Sequence, residues 1–398
     1  MAIIVQKFGG TSVANKFQRN YVLKHILDTL EEGYEVVVVV SAMGRLGDPY
    51  ATDTLLKLVN ENGYVAKREQ DLLLSCGEII SAVILCSMLT AEGIDSIVLT
   101  GGQAGIITND SYTNAQILSL DPKRILDELK TGKVVIVAGF QGKTLDGEVT
   151  TLGRGGSDTS ATALGVSLKA AYVDIFTDVD GIMTADPSIV DDAKPLSVVD
   201  YVEMCNFAFQ GAKVIHPRAV EIAMQSNLPI RVRSTISKNF GTLVTNSNEK
   251  VLGVRDYTIT GITQMPNVSQ IKIKANGELD LHLKVFKEMA KHGISVDFIS
   301  INPSCIAYTV LNEYLPKTQD ILNSLNLDIT ITKDCAKISA VGAGMSGIPG
   351  VISKILEALT EEDIPVLQSA DSNTTIWILV QGVHMAKAVK ALHRKFNL

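Results

Sequence analysis

The decapeptide Ile3-Ile-Val-Gln-Lys-Phe-Gly-Gly-Thr-Ser12 runs a β-branched stretch straight into paired glycines, and beyond it Val22, Leu23, Ile26, Leu27 and Leu30 fall on one helical face. A strand that enters a glycine turn and leaves as a helix opens an α/β layer. The glycines let backbone amides approach an anion, and Lys7 sets a positive charge beside them. Taken alone, Lys7 to Ser12 fits a phosphate cradle and equally a glycine turn carrying a solvated lysine.

Outward from that turn, Val36 to Val40, Ser96 to Thr100, Val134 to Ala138 and Val173 to Thr177 read as strands so apolar that helices must cover both faces of their sheet. Ligands of such sheets collect at the carboxyl ends of the strands, which here carry Phe8 to Ser12, Ser41 to Gly44 and Gly101 to Gly105. The predicted class is therefore α/β, with the site at those strand ends.

With 398 residues, 46% of them hydrophobic, the chain can bury two or three cores. The 36 basic and 43 acidic residues leave a net charge of −7 and no broad positive field, which argues against nucleic-acid binding. Cys76, Cys86, Cys205, Cys305 and Cys335 lack CxxC pairing, so reduced thiols and a cytoplasmic setting are expected. No signal peptide is expected at Met1 to Gln6, and the apolar stretches Val36 to Val40 and Ala82 to Leu89 are shorter than the ~18 residues of a membrane span.

Three further segments carry chemistry. Gly153-Arg-Gly-Gly-Ser-Asp158 is a second glycine turn ahead of the helical run Thr159 to Leu168. Its arginine can grip a carboxylate through paired hydrogen bonds, while Asp158 fits either a plain helix cap, a role open to Ser157 too, or a ligand for a metal or a lysine ammonium. Thr177-Asp-Val-Asp-Gly181 leads into Met183-Thr-Ala-Asp-Pro187, a polar loop able to surround a base and ribose. Ser75-Cys-Gly-Glu78 is expected to open a helix over Ile79 to Leu89, with Glu78 either a first-turn acid that suits the helix dipole or a ligand for an ammonium group.

The polar stretch Thr245 to Lys250 reads as a linker, and an internal repeat lies beyond it. Ile294-Ser-Val-Asp-Phe-Ile and Ile364-Pro-Val-Leu-Gln-Ser stand 70 residues apart, and the same offset pairs Gly277 with Gly347, Lys284 with Lys354 and Val310 with Val380. Each copy reads strand, helix, strand, strand, helix. Tyr257 to Thr263 is a strand-like piece available to the second copy's sheet.

The repeat resembles the ACT domain, a module that pairs to bind amino acids. The segments before it resemble the amino-acid kinase superfamily and, within it, aspartate kinase: Val5-Gln-Lys-Phe-Gly-Gly-Thr-Ser12, Val40-Ser-Ala-Met-Gly44, Ser75-Cys-Gly-Glu78, Ala138-Gly-Phe-Gln-Gly142, Thr151-Leu-Gly-Arg-Gly-Gly-Ser-Asp158, Phe176-Thr-Asp-Val-Asp-Gly-Ile182 and Gly211-Ala-Lys-Val-Ile-His-Pro217. The likeness is closest to the diaminopimelate-sensitive type, through Ser41 to Asp53 and Gln368 to Trp377. It implies an amino-acid kinase fold over residues 1–245, a linker and extra strand over 246–263, and α+β ACT domains over 264–333 and 334–398.

The resemblance also implies roles. Lys7 and Asp158 would be catalytic, with Lys7, Phe8, Gly9, Gly10 and Ser41 on the ATP phosphates, Asp158 orienting Lys7 and assisting Mg²⁺ carried by ATP, and no metal held by the protein alone. The nucleotide would lie along Thr177, Asp178, Gly181, Met183, Asp186 and Pro187, with Lys213 reaching the phosphates. L-Aspartate would be held by Arg154 and Ser157 at its α-carboxylate and by Glu78 at its ammonium, with Thr52, Phe140, Gly155 and Gly156 closing the pocket. Feedback by diaminopimelate or lysine near Ser295, Val296 and Asp297, and a homodimer paired through the ACT domains, complete the expectation.

Two departures from the family pattern stand out: a longer loop between Ser41 and Thr52, and Ser188 and Met183, where the family often has arginine and some members have tyrosine respectively. Gly342-Ala-Gly-Met-Ser-Gly347 matches a dinucleotide fingerprint, yet only 51 residues follow it, too few for paired βαβαβ halves. Gly139-Phe-Gln-Gly-Lys-Thr144 lacks the glycine spacing of a P-loop, and His216 reads as a helix-edge histidine rather than a zinc ligand. The competing functions are an inert amino-acid sensor on the same fold and a kinase for another carboxylate such as glutamate.

Overall fold

The chain is described from a computed structural model, covering residues 1–61, 63, 65–212, 214–246, 258–275, 280–343, 345 and 348–398. Lys213, most of the expected linker, and the Asn276 to Glu278 turn of the first repeat lie outside the described residues.

Packing divides the chain into two compact units. The first comprises Met1–Ile182, Pro195–Ala208 and Lys213–Gly253, and the second Met183–Lys194, Phe209–Ala212 and Val254–Leu398.

In the first unit the chain runs β1 (Ile3–Phe8), α1 (Gly10–Val13), α2 (Lys16–Glu31), β2 (Glu35–Val40), α3 (Thr52–Asn60), α4 (Lys67–Ala91), β3 (Ser96–Leu99), β4 (Ile106–Thr108), β5 (Ile117–Leu120), α5 (Lys123–Leu129) and β6 (Val134–Ala138). It continues through β7 (Gln141–Lys143), β8 (Val149–Thr151), α6 (Gly156–Leu168), β9 (Tyr172–Thr177), β10 (Val198–Asp200), α7 (Tyr201–Phe209), α8 (Pro217–Ser226), β11 (Ile230–Ser234) and β12 (Thr242–Thr245). An eight-stranded sheet has the order β10-β12-β11-β9-β1-β2-β6-β3, parallel except where β12 runs antiparallel to β11. Of the strands predicted from β-branched runs, β9, β1, β2 and β6 form its centre, with Val36 to Val40 all buried, while β3 is an edge strand, half-buried over Ser96 to Val98. β1 pairs with β2 on one side and β9 on the other, so Lys7 lies between Val39 and Ile175 and the first glycine turn opens at the carboxyl edge.

Helix α2 starts at Asn15, whose side chain accepts from the Gln18 amide. Its Val22 and Ile26 share an apolar core with Val36, Val38 and Val40 of β2 and Ala82, Leu85 and Leu89 of α4. α4 corrects the sequence reading: its 25 residues begin at Lys67, so Ser75-Cys-Gly-Glu78 lies inside the helix rather than opening it, and Glu78 is no first-turn acid. By length and composition α4 would also pass for a membrane span. Here, however, it buries Asp71 and Glu78 and packs against β3, β6 and β8. A small sheet ordered β5-β4-β7-β8 accompanies the large one.

The second unit contains β13 (Gly261–Lys274), α9 (Leu281–Lys291), β14 (Asp297–Asn302), β15 (Cys305–Leu311), α10 (Leu315–Ser324), β16 (Ile329–Val341), α11 (Val351–Thr360), β17 (Gln368–Asp371), β18 (Thr375–Gln381) and α12 (Met385–Lys395). The two copies share one antiparallel sheet, β14-β15-β13-β16-β18-β17. The stretch Gly261 to Met265 pairs with Lys337 to Val341, so the start of β13 serves the second copy and its end the first. Two segments that precede the expected linker, Met183–Lys194 and Phe209–Ala212, pack in this unit. Ala185 and Val190 enter the core formed by Ile262, Ile338, Ile355 and Leu392, and the Ile262 amide donates to Thr184 O at 2.7 Å.

Candidate active site

The site is assembled at strand ends of the first unit. Strand β1 delivers Lys7, whose Nζ lies 2.7 Å from Asp158 Oδ1, with the two side chains only 12% and 11% exposed. Asp158 Oδ2 accepts from the His216 amide at 3.1 Å. Asp158 is thus not the cap of α6. That position belongs to Gly155, in the left-handed region at φ 68°, and Asp158 and Ser157 both sit within the first turn. A carboxylate there suits the positive end of the helix and faces the lysine at once.

Backbone closeness around the first turn explains its glycines. A Cβ on Gly10 would come within 2.8 Å of Ala42 O and 2.7 Å of Gly44 O. The loop after β2 therefore lies directly on the turn, with the Ser41 amide donating to Phe8 O at 3.1 Å and the Gly44 amide to Gly10 O at 2.9 Å. Beneath it, the Phe8 and Phe176 rings stack at 4.6 Å.

Glu78 meets the same loop from α4. Its Oε1 accepts from the Ala42 amide at 3.0 Å, while Oε2 is buried with no hydrogen-bond partner. Burial pushes this carboxyl up from 4.5 to about 8, against the opposing hydrogen bond from Ala42. Gly77 lets α4 approach closely, since a Cβ there would sit 2.8 Å from Ala42 Cβ and 3.5 Å from Leu55 Cδ1 of α3. Half-buried Thr52 opens that same α3 helix.

The second glycine turn is held from several sides. Arg154 is exposed, and among the described residues no ion-pair partner stands against it. A Cβ on Gly155 would lie 2.2 Å from His216 Cγ, and one on Gly156 2.8 Å from Phe140 Cδ2, so both rings seat directly on the glycines. Phe140 itself takes φ 69°, an uncommon backbone for an aromatic residue. Its amide donates to Ser160 Oγ at 3.1 Å.

Of the residues expected at the nucleotide, half-buried Thr177 ends β9, and Asp178, exposed, pairs with Arg45 at 2.6 Å. Gly181, at φ 136°, lies against Thr242. Met183, Asp186 and Pro187 belong by packing to the second unit. There Asp186 accepts from Ser188 Oγ at 2.6 Å and from Gln264 Nε2 at 2.9 Å. Lys213 lies outside the described residues.

Sequence reasoning overlooked Asp71. Fully buried in α4, it accepts from the Thr113 amide at 3.0 Å, from the Thr151 amide at 2.8 Å and from Thr151 Oγ1 at 2.6 Å, so it moors the strand that leads into the Arg154 turn. Burial raises its pKa, opposed by these hydrogen bonds. His216 caps α8 through Nδ1, which accepts from the Arg218 amide, as its helix-edge reading anticipated. Its contacts with Asp158 and Gly155 were not anticipated.

Known proteins resemble this chain along its whole length. Residues 2–234 match the amino acid kinase family and residues 330–394 an ACT domain. Aspartokinase 1 of Bacillus subtilis is 56% identical over 402 residues, spanning 100% of both chains. The aspartokinase of Geobacillus stearothermophilus is 39% identical over 406 residues, covering 100% of this chain and 98% of its own. Among solved structures, Escherichia coli aspartokinase III in complex with aspartate and ADP superposes with a TM-score of 0.82 at 25% identity, each chain fully covered. Clostridium acetobutylicum aspartate kinase gives a TM-score of 0.78 at 25% identity, with 99% of this chain and 100% of that one covered.

Proposed function

Because the chain belongs to the aspartokinases of the amino acid kinase family, we propose that Lys7, Asp158 and the two glycine turns carry out that family's reaction, transfer of the γ-phosphoryl group of ATP to the side-chain carboxylate of L-aspartate. The product, 4-phospho-L-aspartate, enters the biosynthesis of lysine and diaminopimelate, threonine and methionine.

A carboxylate is already a competent nucleophile, so the site needs no general base. It must bring an anion against a polyanion. Lys7, with Phe8, Gly9, Gly10 and Ser41, neutralises and seats the phosphates, and Asp158 aims the lysine. The nearly buried pair between Lys7 and Asp158 is the observation that carries this reading. Arg154, beside Ser157, Gly155 and Gly156, receives the α-carboxylate of aspartate, and the unpartnered Glu78 Oε2 receives its ammonium. Phe140 and Thr52 close that pocket. Thr177, Asp178 and Gly181, all in the first unit, line the nucleotide.

Among the described residues no group of three or more His, Cys, Asp or Glu side chains converges to cage a metal. The donors fit Mg²⁺ brought in on ATP, since that ion keeps most of its shell from water and phosphate and takes few protein carboxylates. Asp158, with lone pairs left on both oxygens after its contacts with Lys7 and His216, is the residue that would assist it, and the ion would supply charge neutralisation between the phosphates.

The second unit senses an amino-acid effector, diaminopimelate or lysine, near Ser295, Val296 and Asp297. Ser295 and Asp297 are exposed. Asp297 also pairs with Lys337, which is 3% exposed and comes from the second copy. Strand β14 is an outer strand of the sheet with Ile299 and Ile301 exposed, which supports a homodimer formed through this unit. Unpaired cysteines fit a cytoplasmic enzyme.

An ATP-dependent hydroxamate assay run in parallel with aspartate and glutamate tests the reaction. Hydroxamate from aspartate alone is expected; none from aspartate would overturn the reading.

A further inference from the structure

Thr235 follows β11 and is 2% exposed, yet it joins three elements that converge under the phosphate turn. Its amide donates to Thr177 O at 2.9 Å, and its hydroxyl lies 3.1 Å from the same oxygen. A carbonyl only accepts, so in this contact the Thr235 hydroxyl is the donor. Ser12 Oγ lies 2.6 Å from Thr235 Oγ1. With the Thr235 hydroxyl donating to Thr177, the proton between those two oxygens comes from Ser12, which gives the chain one direction, from Ser12 through Thr235 to Thr177. At its own carbonyl, Thr235 accepts from His25 Nε2 at 2.9 Å. That contact requires the proton on Nε2, and the His25 ring lies against Phe176 at 4.4 Å.

We propose that Thr235 is a positioning residue for ATP, holding the phosphate turn at Ser12 and the nucleotide strand end at Thr177 in one fixed spacing through this directed hydroxyl relay. The proposal rests on the assignment of the phosphates to Lys7, Gly9 and Gly10. It deepens that assignment, because Thr235 acts only through its neighbours. The relay spans α1, the end of β9 and α2, and none of the aspartate-binding side chains takes part in it. Removing the hydroxyl leaves Ser12, itself 2% exposed, with its proton facing a methyl group. The turn then loses its tether while the core keeps its volume.

The test compares full-length Thr235→Val, Thr235→Ser, Ser12→Ala and Lys7→Ala in steady-state kinetics with each substrate varied, alongside thermal denaturation. Thr235→Val is expected to raise the KM for ATP about tenfold, the equivalent of one buried hydrogen bond, and to leave the KM for aspartate within about twofold. Thr235→Ser restores the wild-type value, Ser12→Ala reproduces the defect, and the double variant Ser12→Ala with Thr235→Val is no worse than the poorer single. Should Thr235→Val fail to fold, Ser12→Ala and Thr235→Ser carry the test. An unchanged ATP KM in Ser12→Ala and Thr235→Val, a defect that serine does not rescue, or an equal loss toward both substrates overturns the proposal. If those variants behave as wild type while Lys7→Ala is crippled, the relay alone is refuted. A fully active Lys7→Ala refutes the phosphate assignment, and the relay with it.

Discussion

Replacing Glu78 with glutamine separates what this carboxylate does for the substrate from what it costs the fold. Burial holds the Glu78 carboxyl at about 8, against 4.5 for an ordinary glutamate, so at neutral pH only about a tenth of the free enzyme carries the charge. Between those two values the native protein keeps a proton that the unfolded chain has released. Stability therefore falls as pH rises from 4.5 toward 8, and the loss is complete above about 8. The displacement corresponds to a ceiling of about 5 kcal/mol. Glutamine keeps the acceptor for the Ala42 amide and cannot ionise. In urea titrations Glu78→Gln should match the wild type within about 1 kcal/mol near pH 5 and exceed it by several kcal/mol near pH 8.5. The activity should move the other way. Loss of the charged partner proposed for the aspartate ammonium, about 2–3 kcal/mol, should raise the KM for aspartate roughly a hundredfold. The wild-type aspartate KM should fall as pH climbs toward 8, and the variant's should stay flat. A variant no more stable than wild type under alkaline conditions, or one with an unaltered aspartate KM, refutes the reasoning.

Lys7→Ala removes the cation facing Asp158 and should lower kcat about a thousandfold with far less effect on the KM for aspartate; an unchanged kcat would take Lys7 out of catalysis. Gly155→Ala forces a side chain onto a left-handed backbone and into the His216 ring, so it should cost about 2 kcal/mol or more and raise the aspartate KM, and wild-type melting together with wild-type kinetics would show that the turn tolerates a Cβ. In the regulatory unit, diaminopimelate should inhibit at lower concentration than lysine, because the first repeat has Ala275-Asn-Gly-Glu278 where the family resemblance sets an Asp-x-Pro-Gly turn in many lysine-sensing members; the reverse order in an inhibition assay would refute this.

The central strands were legible because their signal is local: runs such as Val36 to Val40 allow no solvent on either face. The glycine turns were legible for a related reason, since only glycine permits the approach of Ala42 O and Gly44 O to Gly10. Helix α4 was misread at its start because its buried polar residues break the apolar pattern. Asp71 and Glu78 are tolerated there only through partners distant in sequence, at Thr113, Thr151 and Ala42. No local pattern announces such partners. The cap of α6 failed similarly: serine and aspartate are the usual caps, but a glycine in the left-handed region took the position and freed Asp158 for Lys7. The strands of the small sheet, three or four residues each, are too short for alternation to be read.

The two stretches that pack away from their sequence neighbours, Met183–Lys194 and Phe209–Ala212, bear on how the chain can be divided. Severing it after residue 245 would not yield an autonomous module, because Ala185 and Val190 would be stripped of the apolar bed that now hides them, and Thr184 of its hydrogen bond to buried His393. The complementary fragment would be left with a hollow beside Ile262. Evolutionary exchange of one sensor for another is consequently constrained: a transplanted regulator must arrive already shaped to seat these inserted residues, or the recipient must alter both partners together.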